Sequence, residues 1–196
     1  FSEYTIDAYV LNETARFEQH VLALYQNYQF KDANNAIYHF CNDTLSSLYL
    51  TTIKDRLYCD ASQSDARQRA QITLRVILEI LTRVLSPILP HTCDEVMESL
   101  NDSDTATCQG EVALNLNYSF TVDWQPVIET RKQVLKQLED AKANGIENSL
   151  DAGVEIPNTI DHQFLPDLAD IFGVSRVEFV DNTMITINDL SNELRC

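Results

Sequence analysis

From residue 6 to about residue 100, apolar side chains recur at intervals of three and four, a period that only a helix gathers onto one face. Ile6, Tyr9, Val10, Phe17, Val21, Leu24 and Tyr28 form the first such stripe. A second runs through Ile37, Phe40, Cys41, Leu45, Leu48 and Ile53, with Asp32 placed to cap its start. The third holds Ile72, Val76, Ile80, Val84 and Ile88 at a strict spacing of four. Leu74, Leu78, Leu81 and Leu85 widen it, so this helix is expected to be contacted on more than one side. Ser64 suits its N-cap, Asp65 favours its first turn, and Pro87 and Pro90 end it. Thr92 and Glu95 have the spacing of a capping box, which opens a short fourth helix. Long rods with short connections pack most economically as an antiparallel bundle.

Only four glycines and five prolines in 196 residues agree with long regular elements. The texture changes after the polar stretch from Asn101 to Gly110. Beyond it the pattern predicts a helix from Trp124 to about Asn144 and a β-like stretch over Leu150–Ile156. A short helix over His162–Phe172 then stops at Gly173, and strands follow around Val174–Val180 and Met184–Ile187. The expected fold class is therefore mainly α: a helical bundle over residues 1–108 followed by a small α/β domain over 109–196.

Catalytic constellations are missing from the sequence. It holds no glycine-rich phosphate loop, no G-x-S-x-G and no H-E-x-x-H. His20, His39, His91 and His162 are scattered and read as ordinary surface or core residues. Cys41, Cys59, Cys93, Cys108 and Cys196 are odd in number and contain no C-x-x-C pair, so neither a zinc ribbon nor a redox motif is complete. Cys41 and Cys59 lie in or beside the apolar helical pattern, where a free buried thiol in a reducing compartment is the expectation. With no leader and no apolar run near 18 residues, the expected location is cytoplasmic, without membrane contact or an obligate oligomer. Phe1 and Cys196 read as cut ends rather than natural ones.

A net charge of −16 repels nucleic acid unless the cations are gathered. Six of the 14 lysines and arginines fall between residues 54 and 83, against four carboxylates, which leaves that stretch at +2. Lys54, Arg56, Tyr58, Arg67, Arg69 and Arg75 are its candidate RNA contacts, offering phosphate neutralisation beside rings that can stack on bases. Lys54, Arg56, Arg67 and Arg69 are expected to form one patch where the second and third helices meet the loop from Cys59 to Gln63. The plainer reading is that Lys54 and Arg56 merely complement the negative end of a helix dipole. An acidic helical bundle could also dock a protein partner through its helix faces.

A resemblance bears on these readings. Tyr49-Leu50 followed by Ile53-Lys54-Asp55-Arg56-Leu57-Tyr58 resembles a stretch of isoleucyl-tRNA synthetases, which are class I aminoacyl-tRNA synthetases. The similarity continues through Arg69-Ala70-Gln71, Ser86-Pro87-Ile88-Leu89-Pro90, Thr92, Asp94-Glu95-Val96 and Trp124 to Asn148-Ser149-Leu150-Asp151-Ala152. Valyl and leucyl relatives share the Pro-Ile-Leu-Pro region, and the equivalent piece of a valyl enzyme is the nearest alternative. The resemblance implies the anticodon-binding bundle of such an enzyme and the small junction domain after it, with tRNA(Ile) and the catalytic domain of the same polypeptide as partners. It further implies an intact enzyme that ligates isoleucine to tRNA using ATP. The catalytic motifs lie upstream, so these 196 residues alone are expected to be inactive. Members of the family often carry zinc just beyond this region, and Cys196 would be a first ligand of such a site.

Overall fold

A computed structural model describes residues 2–102, 122–143, 146 and 148–191. Among these the chain is mainly helical with one small sheet, as its period demands. Two compact units share it, and neither is continuous in sequence. One draws on the described residues within 1–9, 48–55 and 121–196, and the other on those within 10–47 and 56–120. We call them the sheet unit and the helical unit.

Helix α1 (Ile6–Gln26) gives its first turn to the sheet unit and the remainder to the helical unit. After it come α2 (Phe30–His39), a π-helix (Phe40–Leu50), α3 (Lys54–Tyr58), α4 (Asp65–Leu85) and α5 (Pro90–Asp102). The second stripe is thus three elements rather than one helix. Over the π-helix the residues on one face recur at a longer period, which rephases the stripe; the Ser47 hydroxyl donates to the Asn42 carbonyl five residues back at 2.9 Å. In the helical unit α1 and α2 form an antiparallel hairpin. Phe17 stacks on Phe40 at 4.0 Å between ring centroids, and Tyr25 meets Phe30 at 6.1 Å. The far part of α1 lies against the end of α4. There Arg83 pairs with Glu18 at 2.6 Å, and the Tyr25 hydroxyl donates to the Val84 carbonyl at 2.9 Å. Burial pushes the Tyr25 phenol above its ordinary pKa.

Several local expectations need correction. Asp32 is not the cap of α2: the helix starts at Phe30, after Gln29, whose side chain makes no capping bond. Thr92 lies inside α5, because Pro90 opens that helix instead of merely closing α4; a proline suits a first turn, where its missing N–H would have no partner. The buried face of α4 is Ala70, Thr73, Ile77, Ile80 and Val84, whereas Ile72 and Ile88 are exposed. Tyr28, expected on the core face, is 81% exposed. Cys59 is exposed, while Cys41 is half-buried, with its thiol pKa raised by burial. Ser64 does cap α4, accepting from the Arg67 amide at 3.5 Å.

The sheet unit contains α6 (Gln125–Ala143), α7 (Leu165–Phe172) and the strands β1 (Ala152–Pro157), β2 (Arg176–Val180) and β3 (Thr186–Asp189). The order is β2-β1-β3, with β2 parallel and β3 antiparallel to the central strand. Ala152, Val154 and Ile156 of β1 are buried, as are Leu168, Ile171 and Phe172 of α7. The expected strands shorten here, since Ser149–Asp151 is a single 3₁₀ turn ahead of β1. Trp124 lies against Tyr9 and Phe164 at 4.9 and 4.8 Å, and its indole donates to the Glu3 carbonyl at 3.1 Å. Asp167 accepts from the Ile6 amide at 2.9 Å, capping the start of α1 from a distant part of the chain. Helix α7 ends at Gly173 (φ +70°), whose amide and that of Val174 turn back onto Asp170 and Ala169.

Candidate nucleic-acid interface

The six expected RNA contacts have different fates. Arg56 is only 5% exposed, so its guanidinium is not offered to solvent. Lys54 and Tyr58 are exposed, Tyr58 at 80%. Arg67, Arg69 and Arg75 are half-buried. Lys54 falls in the sheet unit, whereas the other five fall in the helical unit.

Within the helical unit the loop after Tyr58 is pinned. Arg67 Nη1 donates to the Asp60 carbonyl at 2.7 Å, and the Ser64 hydroxyl donates to the Asp60 carboxylate at 2.8 Å. The Ser64 amide closes a turn onto the Ala61 carbonyl at 2.9 Å. Arg75 pairs with Glu79 at 2.5 Å and reaches the Leu100 carbonyl at 3.5 Å. These arginines are therefore already spending hydrogen bonds on the fold. Exposed Tyr58 ends α3 just before this fixed turn.

At the other end of α4 the surface is different. Tyr28, Phe30 and Tyr38 are exposed at 81%, 57% and 65%, and Tyr28 meets Phe30 edge-on at 6.2 Å. The sequence reading missed these rings because Tyr28 falls in register with the stripe of α1. The overlooked signal was a helix ending in Asn27-Tyr28-Gln29 with no glycine.

Among the described residues no three His, Cys, Asp or Glu side chains gather as a metal site, and no helix is long and apolar enough to cross a membrane. Cys108 and Cys196 lie outside the described residues, as does the chain from 103 to 110 of the expected boundary.

Comparison with known proteins agrees with this architecture. The family model for the anticodon-binding domain of tRNA ligase matches residues 7–156, and the chain belongs to that family. More particularly, it is 37% identical over 162 residues to an isoleucine–tRNA ligase of Nitrosomonas europaea, covering 77% of this chain and 17% of that protein. Isoleucine–tRNA ligases of Brevibacillus brevis and Thermotoga petrophila are 32% and 31% identical over 188 and 205 residues. Those matches cover 88% and 97% of this chain, but 20% and 21% of the relatives. The chain thus spans about a fifth of the length of the relatives it matches.

Proposed function

We propose that the chain recognises the anticodon region of tRNA(Ile) as part of an isoleucine–tRNA ligase of the cytoplasm. The observation that carries this reading is the family match from α1 to β1, together with relatives that are isoleucine–tRNA ligases at 31–37% identity. The whole ligase would join isoleucine to its tRNA with ATP. ATP and zinc enter as its cofactors, and no described residue of this chain is assigned to either. The chain by itself is expected to show no isoleucine-dependent pyrophosphate exchange.

Tyr58 is the proposed stacking ring at the pinned loop, with Arg67 and Arg69 in the first turns of α4 and Arg75 further along it as proposed flanking cations. Lys54, in the sheet unit, is proposed separately as a phosphate contact. Binding of the chain to a tRNA(Ile) transcript at several salt concentrations tests both roles. Lys54→Ala should flatten the dependence of log affinity on log salt by about 0.7–0.9. Tyr58→Ala should weaken binding and leave that slope unchanged. Wild-type affinity and slope in both variants would remove these residues from the interface.

A further inference from the structure

We infer that the corner between α1 and α2 is a stacking shelf for unpaired RNA bases, built from Tyr28, Phe30 and Tyr38. The inference deepens the tRNA-binding function proposed above and rests on it.

The backbone supplies the first argument. The Gln29 amide bonds the Leu24 carbonyl at 2.9 Å and the Tyr28 amide bonds the Tyr25 carbonyl at 3.0 Å, which is the hydrogen-bond pair of a Schellman stop. That stop holds its central residue in the left-handed region, and Tyr28 stands there at φ +57°. At α7 the same stop is made by Gly173, the residue the geometry favours. Tyrosine at this position is strained. Its side chain does not offset the strain by burial, since 81% of it faces solvent. A ring held out at a cost to the fold points to a contact outside the fold.

The surroundings of the ring supply the second. Phe30, Asn34 and Tyr38 are spaced four apart along α2, and all three are exposed. They form one ridge with about 6 Å between successive members. Gln29 and Asn35 are exposed beside it. Rings stack on any base face, while amide side chains pair with base edges.

Charge supplies the third. The C-terminal turn of α4 lies at this corner, through the Tyr25–Val84 bond. Residues 25–39, which contain the whole shelf, and 84–91 hold only Lys31 and Asp32 as formal charges and so sum to zero, in a chain of −16. Of the nearby carboxylates, Glu18 is paired with Arg83 and Asp43 with His39 beside Tyr38, while Asp32 is exposed on α2 next to Lys31. A phosphate strand meets less repulsion here than over most of the chain.

The test uses the 196-residue chain, a tRNA(Ile) transcript and a hairpin reproducing its anticodon stem and loop. Tyr28→Gly should melt about 2–4 °C higher, because the strain is relieved. The same variant should bind the hairpin about five- to a hundredfold more weakly, with the salt slope unchanged. Tyr28→Phe should match wild type in both. A purely structural tyrosine would lose stability and affinity together, and that result overturns the inference. Wild-type affinity in Tyr28→Gly overturns it alone and leaves the corner, with exposed Ile88 and Leu89, to a protein partner. Failure of the wild-type chain to bind either RNA overturns the inference together with the function beneath it.

Discussion

The two ends of α4 differ in a way that the sequence inverts. The loop end lies in the most basic stretch of the chain, yet its arginines are committed to the protein: Arg56 is buried and Arg67 clamps Asp60. The corner end, about 30 Å away along 21 residues of helix, has balanced charge and displays exposed rings, one of them on a strained backbone. Cations close together in sequence are therefore no measure of cations offered to a ligand. What a surface can bind depends on which side chains the fold has left unspent.

The largest expected effect tests whether the loop end is structural. Arg56→Ala should destabilise the chain by about 3 kcal/mol in a denaturant melt, since it removes a buried, interacting cation. A loss within about 0.5 kcal/mol would mean that Arg56 behaves as surface, and the contrast between the ends would fail. Next is Gly173→Ala, which sharpens the strain argument at Tyr28. An added Cβ meets nothing within 4 Å, so the expected loss of about 1–2 kcal/mol comes from the backbone alone. Its sign is opposite to that of Tyr28→Gly. Ser64→Ala should cost about 1 kcal/mol by uncapping α4 and freeing Asp60, measured by thermal melting. The smallest effect has no energetic signature. A thiol reagent near pH 8 should label exposed Cys59 well before Cys41, whose thiol pKa burial raises. Equal rates would contradict the exposure assigned to the loop end.

Much of the fold was legible because it follows from periodicity. The stripe of α1, the Ser64 cap, the stop at Gly173 and the alternating strands all reflect local geometry that sequence spacing encodes. The failures share a physical origin. Gln29 and Pro90 open helices although Asp32 and Thr92 are better capping residues, because packing outweighs a cap preference of about 1 kcal/mol. The π-helix was invisible because one apolar stripe is compatible with both helical periods over so short a run. The candidate site was the least legible part. Burial of Arg56 and exposure of Tyr28 depend on tertiary contacts, and Asp167 reaching Ile6 across 161 residues shows how far such contacts extend beyond any motif.

The central claim is that this chain reads an anticodon, and an anticodon transplant tests it most directly. A tRNA of another specificity is given the isoleucine anticodon loop, and its affinity for the chain is measured beside tRNA(Ile) at one salt concentration. The account predicts that the transplant binds within about threefold of tRNA(Ile), while the unmodified tRNA binds at least about tenfold more weakly. Equal affinity for the transplanted and unmodified tRNA would contradict it.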